Sequence, residues 1–420
     1  MKRILIVNVV LVGEESGTGN TLKNIYCNYT NTHIMQLSLQ IKPLNFTTTI
    51  ENTIFLTKAC IPIDNAFRSV FFMRNLKKKT NSLSNVSAAT IPQKNIKGAV
   101  HDFIRGLLDM SAVRLDNEIL YKIDLFNPEI IYTCGCTIRI HKVANFLSKR
   151  YRIPIVLHLM DDWPETLYTS SFLSLFARKK INRELAITHS LSITNFAISE
   201  ALCEKYENKF GKKYIPLMNP SKYITTNLFV KDKGIIEFIY AGSLSLNRWK
   251  SLLQVAEVLH NINIMKKCAN MKLYIPSAWN TVEIKNLFEK YEVEINNYVA
   301  NDKVYEVYER ADVLIHVESF DENYRLFTRY SLSTKIPEYM GAGKPILAYL
   351  PKDLHGGEYI TKNNAGLVAH NINDLKACIF KLVEDSSSRC ELAIGGLACA
   401  KEKHSIDSVH TKLFEVVKNI

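Results

Sequence analysis

Residues 331–349 read SLSTKIPEYMGAGKPILAY. Small polar residues and a lysine come first (Ser333, Thr334, Lys335), followed by an apolar-periodic segment (Ile336, Tyr339, Met340) that carries one carboxylate, Glu338. Gly341 and Gly343 break the pattern, and Lys344-Pro345 leads into an apolar run at residues 346–349. The pattern predicts loop, helix, glycine stop and buried strand, one unit of an α/β fold. A helix that begins just after Ser333 and Thr334 aims unpaired backbone N–H groups, two hydroxyls and an ammonium at one point, which suits a phosphate. Glu338, within the first turn or so, is placed to accept two hydrogen bonds from a ribose diol, so the stretch reads as a nucleotide-diphosphate pocket. An ordinary capped helix ahead of a buried strand accounts for the same residues.

The rest of the chain repeats the alternation. Residues 4–12 are a continuous apolar run of the kind buried on both faces of a parallel sheet. Gly17, Thr18, Gly19 and Asn20 then predict a tight turn, with a helix starting at Leu22. Further short apolar runs fall at residues 53–57, 130–132, 153–159 and 192–198, and in the second half at 235–241, 271–275 and 311–317, with helical patterns between them. That order is what a mostly parallel, doubly wound sheet requires. The run at 153–159 passes through His158 and is followed by Asp161-Asp162-Trp163-Pro164-Glu165. Ligands of open α/β sheets bind beyond the carboxyl ends of strands, so these side chains are placed where substrates go. A rigid Trp-Pro turn with helix-capping aspartates is the other reading. Asp-Asp-Trp-Pro lacks the spacing of metal ligands, and no metal is expected. Residues 235–241 lead into Gly242 and then Asn247, Arg248 and Lys250 before the next helix, which is the strand, glycine loop, helix device again.

These stretches together resemble GT-B glycosyltransferases of the group-1 type, which build bacterial polysaccharides and lipid-linked glycans. SLSTKIPEYMGAGKPILAY is similar to their donor-binding segment, Asp161-Asp162-Trp163-Pro164 to their Asp-x-Trp-Pro string, and Gly242 with Arg248 to the loop that grips the donor diphosphate. The resemblance implies two Rossmann-like domains facing each other across a cleft. Residues 1–215 would bind the acceptor, 216–234 form a linker, 235–400 bind the nucleotide-sugar, and 401–420 form a helix crossing back to the first domain. It implies donor contacts at Gly17, Gly19, Arg248, Lys250, Ser333, Thr334, Lys335 and Glu338, catalytic roles for His158, Asp161 and Arg248, and acceptor or sugar contacts at Asp162, Trp163 and Glu318. The common motif of two glutamates eight positions apart is absent, because Tyr330 stands eight before Glu338. The upstream carboxylates are Glu318, Asp321 and Glu322, beyond what reads as a longer loop, and Glu318 is taken as the sugar contact.

At 420 residues, two domains are expected. Nine cysteines at irregular spacing, with no cleavable export signal, point to reduced thiols in a cytoplasm, and Cys134-Gly-Cys136 reads as core. The net charge of +12 is uneven: residues 1–220 hold 28 Lys+Arg against 17 Asp+Glu, whereas residues 221–420 hold 25 against 24. The first half thus presents a positive field to an anionic surface or acceptor. Residues 66–79, AFRSVFFMRNLKKK, carry five cations and no carboxylate among aromatics, as a membrane-surface helix does. A solvated face packed on the first sheet is the alternative. Arg178, Lys179, Lys180 and Arg183, after Phe172, Leu175 and Phe176, extend the cationic surface. No window is apolar enough to span a bilayer.

The reading that results is a metal-independent, cofactor-free glycosyltransferase at the inner face of a bacterial membrane. It would use a UDP- or GDP-linked sugar and a glycan or lipid-linked acceptor of surface polysaccharide synthesis, with no nucleic acid as partner. A non-catalytic GT-B subunit supporting an active partner and a GT-B sugar-nucleotide epimerase are the competing readings.

Overall fold

The computed structural model describes residues 2–14, 16–27, 29–30, 32–64, 96–169, 174–228, 230–300 and 303–418. The cationic stretch at 66–79 and Phe172 lie outside the described residues. The chain divides into two compact units, Met1–Leu217 with Thr411–Ile420, and Met218–His410.

The first unit is built on a seven-stranded sheet of order β3-β2-β1-β4-β5-β6-β7. Its strands are β1 (Ile4–Asn8), β2 (Ile34–Ile41), β3 (Thr53–Leu56), β4 (Ile130–Thr133), β5 (Ile155–Leu159), β6 (Ser192–Ala197) and β7 (Ile215–Pro216), all paired in parallel. The strand order reverses between β1 and β4. There Asn8 ties the two together, accepting from the Cys134 backbone N–H at 2.9 Å while its amide donates to the Cys134 Sγ. The second unit has a six-stranded parallel sheet of order β10-β9-β8-β11-β12-β13. It comprises β8 (Ile236–Ala241), β9 (Ala269–Ile275), β10 (Glu294–Asn297), β11 (Val313–Val317), β12 (Ile346–Tyr349) and β13 (Gly366–Ala369). Because side chains alternate along a strand, Phe238 and Tyr240 enter the core on one face of this sheet, and Ile239 and Ala241 the core on the other. Burial on both faces is why β8 and β11 read as largely apolar runs, broken only by Glu237 and His316.

Three sequence expectations change. Gly17 and Gly19 do not form a turn ahead of a helix; they open helix Gly17–Ile25, whose N-cap is Ser16, with the Gly19 N–H donating to its hydroxyl at 3.0 Å. Glycine is required at 19, where a Cβ would lie 2.4 Å from the Glu14 carbonyl oxygen, whereas Gly17 faces open space. Residues 216–234, expected as the linker, hold the division between the units at Leu217 and Met218, and they are packed. Ile215–Pro216 is the last strand of the first sheet, Met218 is in the second unit's core, and the Thr225 N–H donates to the Gly341 carbonyl at 2.8 Å. The tail is not one helix from 401, because helix Ser386–Lys403 ends at His404 and a new helix, Ile406–Lys418, follows.

Candidate functional site

The second unit gathers charge at one place. β8 and β11 are neighbours at the point where the strand order reverses, and ligands of such sheets bind beyond the carboxyl ends of the strands there. β8 ends at Ala241, and its loop delivers Arg248 at the first position of helix Arg248–Met265. The loop is bent by residues with positive φ: Gly242 at 152°, Leu246 at 61° and Asn247 at 59°. A leucine in the left-handed region is uncommon and costs on the order of 1 kcal/mol, strain of a kind that clusters at ligand sites. β11 ends at Val317, directly before Glu318.

Arg248 and Glu318 meet edge to edge. The guanidinium donates from Nε to Glu318 Oε2 at 3.0 Å and from Nη2 to Oε1 at 2.9 Å, and both side chains are largely buried. Burial disfavours the guanidinium charge, but Glu318, with smaller help from Tyr240 and Tyr339, more than restores it. His316, wholly buried on β11, has Nε2 3.9 Å from Glu318 Oε1, and burial pushes its pKa down to about 4, so it is neutral near pH 7. Beside the pair, Asn247 and Lys250 both donate to Asp321 Oδ2, at 2.6 and 3.3 Å, with Lys250 half exposed.

Lys335 opens the seven-residue helix Lys335–Gly341. Its ammonium lies 4.3 Å from the centroid of the Tyr240 ring and donates to the Tyr240 hydroxyl at 3.2 Å, which in turn donates to the Ser243 carbonyl. Gly242 makes room for it, since a Cβ there would stand 1.7 Å from Lys335 Nζ. Burial, and next the nearby Arg248, lower the Lys335 pKa to about 7, while Glu318 and Glu338 act the other way. One turn on, Glu338 accepts from the Tyr308 hydroxyl through Oε2 at 2.9 Å, and among the described residues its Oε1 takes no hydrogen bond. Burial raises its pKa, opposed by Tyr308, Lys335 and Lys222. Thr334 is the N-cap of this helix but makes no side-chain capping bond, and Ser333 is half-buried beside it. The glycines after the helix are dictated by neighbours: a Cβ at Gly341 would lie 2.3 Å from the Tyr223 carbonyl oxygen, and Gly343 has φ of 65°.

The structure therefore brings Arg248, Lys250, Glu318, Ser333, Thr334, Lys335 and Glu338 together in the second unit. Glu318, expected as the sugar contact, accepts from Arg248 through both of its oxygens. Tyr240, Tyr308 and His316 belong to the same site and were not legible, being ordinary strand or helix residues in sequence, whereas Asp321 was among the upstream carboxylates the sequence offered.

In the first unit the string after β5 is mostly internal. His158 is 0% exposed, with Nδ1 2.5 Å from the Tyr132 hydroxyl and Nε2 3.0 Å from the Leu217 carbonyl oxygen. Burial lowers its pKa to about 3, so it has neither a charge nor a free ring nitrogen to offer and is not placed for catalysis. Asp162 is buried and accepts from Lys205 and, at 2.8 Å, from Tyr206, so it anchors helix Glu200–Phe210 instead of meeting a sugar. Trp163 is likewise buried. Asp161 alone of the four candidates stays half-buried; burial and then Asp161 push the neighbouring Cys136 thiol up to about 12. Gly17 and Gly19 stand at the start of their helix near the end of β1. Among the described residues no group of three or more His, Cys, Asp or Glu is arranged to hold a metal ion, and no helix is long and apolar enough to cross a membrane.

The fold is that of GT-B proteins, two Rossmann-like units each on a parallel sheet, and solved structures of that architecture superpose along the whole chain. HepE of Anabaena, solved in complex with UDP and glucose, matches with a TM-score of 0.61 at 14% identity, covering 100% of both chains. Sucrose-phosphate synthase from Thermosynechococcus elongatus matches at 0.60 and 11% identity, over 100% of this chain and 99% of its own. A glycosyltransferase from Rickettsia africae ESF-5 matches at 0.57 and 12% identity, over 100% of each. No protein-family model and no curated protein sequence matches the chain.

Proposed function

We propose that the protein is a glycosyltransferase that takes a sugar from a UDP- or GDP-linked donor bound in the second unit. One observation carries the reading: Arg248, Lys335 and Glu338, 87 and 3 residues apart, converge where the second sheet's strand order reverses. Two cations in a largely buried pocket match a diphosphate, and a carboxylate with one free oxygen matches a ribose diol. The likeness to HepE, whose structure holds UDP and glucose, supports the same assignment. As the donor's glycosidic bond breaks, negative charge grows on the departing nucleoside diphosphate. Arg248 and Lys335, already in place, stabilise it without a metal or other cofactor. Lys250, Ser333 and Thr334 line the approach, and Gly17, Gly19 and Asp161 are assigned to the donor and acceptor side of the first unit.

The acceptor we assign is a glycan or lipid-linked glycan of bacterial surface polysaccharide synthesis, met at the cytoplasmic face of the membrane. The +11 balance of residues 1–220 supports this, as does helix Leu175–Leu191, which exposes Leu175, Phe176, Lys179 and Arg183, although Arg178 and Lys180 are paired with Glu165 and Glu184. Aromatic and cationic side chains side by side suit an anionic headgroup layer. Incubation of the protein and membranes with a panel of radiolabelled sugar nucleotides tests the function: label passing into lipid or glycan is expected. Binding without transfer, or an epimerised nucleotide, would replace this reading with a supporting subunit or an epimerase.

A further inference from the structure

We propose that Glu318 is a positioning residue for Arg248: by occupying the Nε–Nη2 edge of the guanidinium it leaves the Nη1 end presented to the donor's diphosphate. The assignment rests on the donor-site reading above. A guanidinium has five N–H donors in a rigid plane, and an edge that holds a carboxylate bidentately cannot also hold a phosphate. Glu318 takes one donor from Nε and one from Nη2, and among the described residues Nη1 makes no hydrogen bond. Arg248 keeps 19% side-chain exposure against 7% for Glu318, so the outward part of the pair belongs to the arginine.

Glu318 is itself fixed from the same helix. Its backbone carbonyl accepts from the Ser251 hydroxyl at 2.8 Å, so the first turn of helix Arg248–Met265 is tied to the end of β11 at two points. The arginine is thereby held in one orientation before any ligand arrives, which removes a rotamer cost from binding. The carboxylate also lets two cations share the pocket. Arg248 disfavours the charged form of Lys335, and Glu318 favours it, as Glu338 does from Lys335's own helix; Tyr240 on β8 and neutral His316 on β11 complete the surroundings.

The test is calorimetric titration of the full-length protein with UDP, GDP, uridine and guanosine. Wild type is expected to bind one diphosphate more tightly than its nucleoside. Glu318→Gln is expected to lose roughly tenfold or more of the diphosphate affinity, the scale of one charge-assisted contact, with nucleoside affinity within about twofold of wild type. Unchanged diphosphate affinity, or equal loss for diphosphate and nucleoside, overturns the assignment, since a purely structural role would weaken both. Because Glu318→Gln leaves Arg248 without its buried counter-charge, Arg248→Gln and the double variant Arg248→Gln/Glu318→Gln are measured alongside. Equal diphosphate affinity in these two supports action through Arg248, and a further loss in the double variant overturns it. If wild type binds neither diphosphate, the donor-site reading falls, and this assignment with it.

Discussion

Replacing Lys335 by methionine should make the protein more stable and unable to hold its donor. The lysine's ordinary pKa of 10.5 falls to about 7 in the folded chain, through burial first and Arg248 second. A lysine whose folded value is depressed sheds its proton above pH 7, whereas in the unfolded chain it stays charged until about pH 10. Between these values the unfolded state binds more protons, so the lysine's penalty is fully present below pH 7 and fades as pH rises toward 10. At pH 7 the penalty is on the order of 4 kcal/mol, at about 1.4 kcal/mol for each pH unit between the two values. Methionine keeps the length of the side chain and gives up the contact with the Tyr240 ring, about 0.5–1 kcal/mol. Lys335→Met is thus expected to gain roughly 2–4 kcal/mol at pH 7, and the gain should shrink by about 2 kcal/mol at pH 9. Urea unfolding of variant and wild type at both values measures this, and titration with a nucleotide-sugar, whose diphosphate does not titrate in that range, measures the lost binding. An advantage that does not change with pH, or no advantage at pH 7, would show that Lys335 is not poised as described.

Glu338→Gln keeps the shape but weakens the ribose contact, and should raise the KM for the nucleotide-sugar roughly tenfold, read in steady-state transfer. Transfer should survive exhaustive chelation; loss with EDTA and rescue by manganese or magnesium would put a metal where Arg248 and Lys335 are assigned. His158→Asn should cost about 1–3 kcal/mol of stability, because the Tyr132 hydroxyl loses its partner, while turnover per folded molecule stays near wild type. Sedimentation with anionic vesicles should exceed that with zwitterionic ones and fall with salt and in the Lys77→Gln, Lys78→Gln, Lys79→Gln variant; equal binding to neutral vesicles would remove the membrane assignment.

Much of the fold was legible because strands buried on both faces print themselves as apolar runs. β1, β4, β5, β8, β11 and β12 were read within a few residues of their ends for that reason. β2 was missed because its sequence, IMQLSLQI, interleaves polar residues, yet Gln36 and Ser38 are fully buried. Their side chains satisfy the loop after β1: Gln36 Oε1 accepts from the Val12 N–H at 3.1 Å and the Ser38 hydroxyl donates to the Val9 carbonyl at 3.1 Å. A polar pair hid the strand because its side chains hold the neighbouring loop. β10 escaped because it is a polar edge strand, and β13, Gly366–Ala369, was not read either. The site divides in the same way. Lys335 and Glu338 are neighbours in sequence and were found by spacing, whereas Arg248 and Glu318 are 70 residues apart and only the sheet order makes them a pair. The string after β5 misled because a strand end is necessary for a substrate contact but not sufficient. His158 points into the core and Asp162 finds a lysine and a tyrosine from the next helix.

The second unit's pocket also explains why its two cations are of different kinds. Arginine stays charged in any protein environment, so a buried one needs a permanent counter-charge, and Glu318 supplies it edge to edge. A second arginine at 335 would bring a second permanent charge, and Glu338 beside it has its own ionisation disfavoured by burial. Lysine can give up its proton while the pocket is empty and recover it when a dianion arrives. The empty site then carries less repulsion than the occupied one has attraction. Gly242 fits the same logic from the backbone side, since any side chain there would take the volume in which the Lys335 ammonium sits. If the donor diphosphate binds here as proposed, one residue type at each of four positions, Gly242, Arg248, Glu318 and Lys335, follows from a single requirement: holding a doubly charged ligand in a place poorly reached by water.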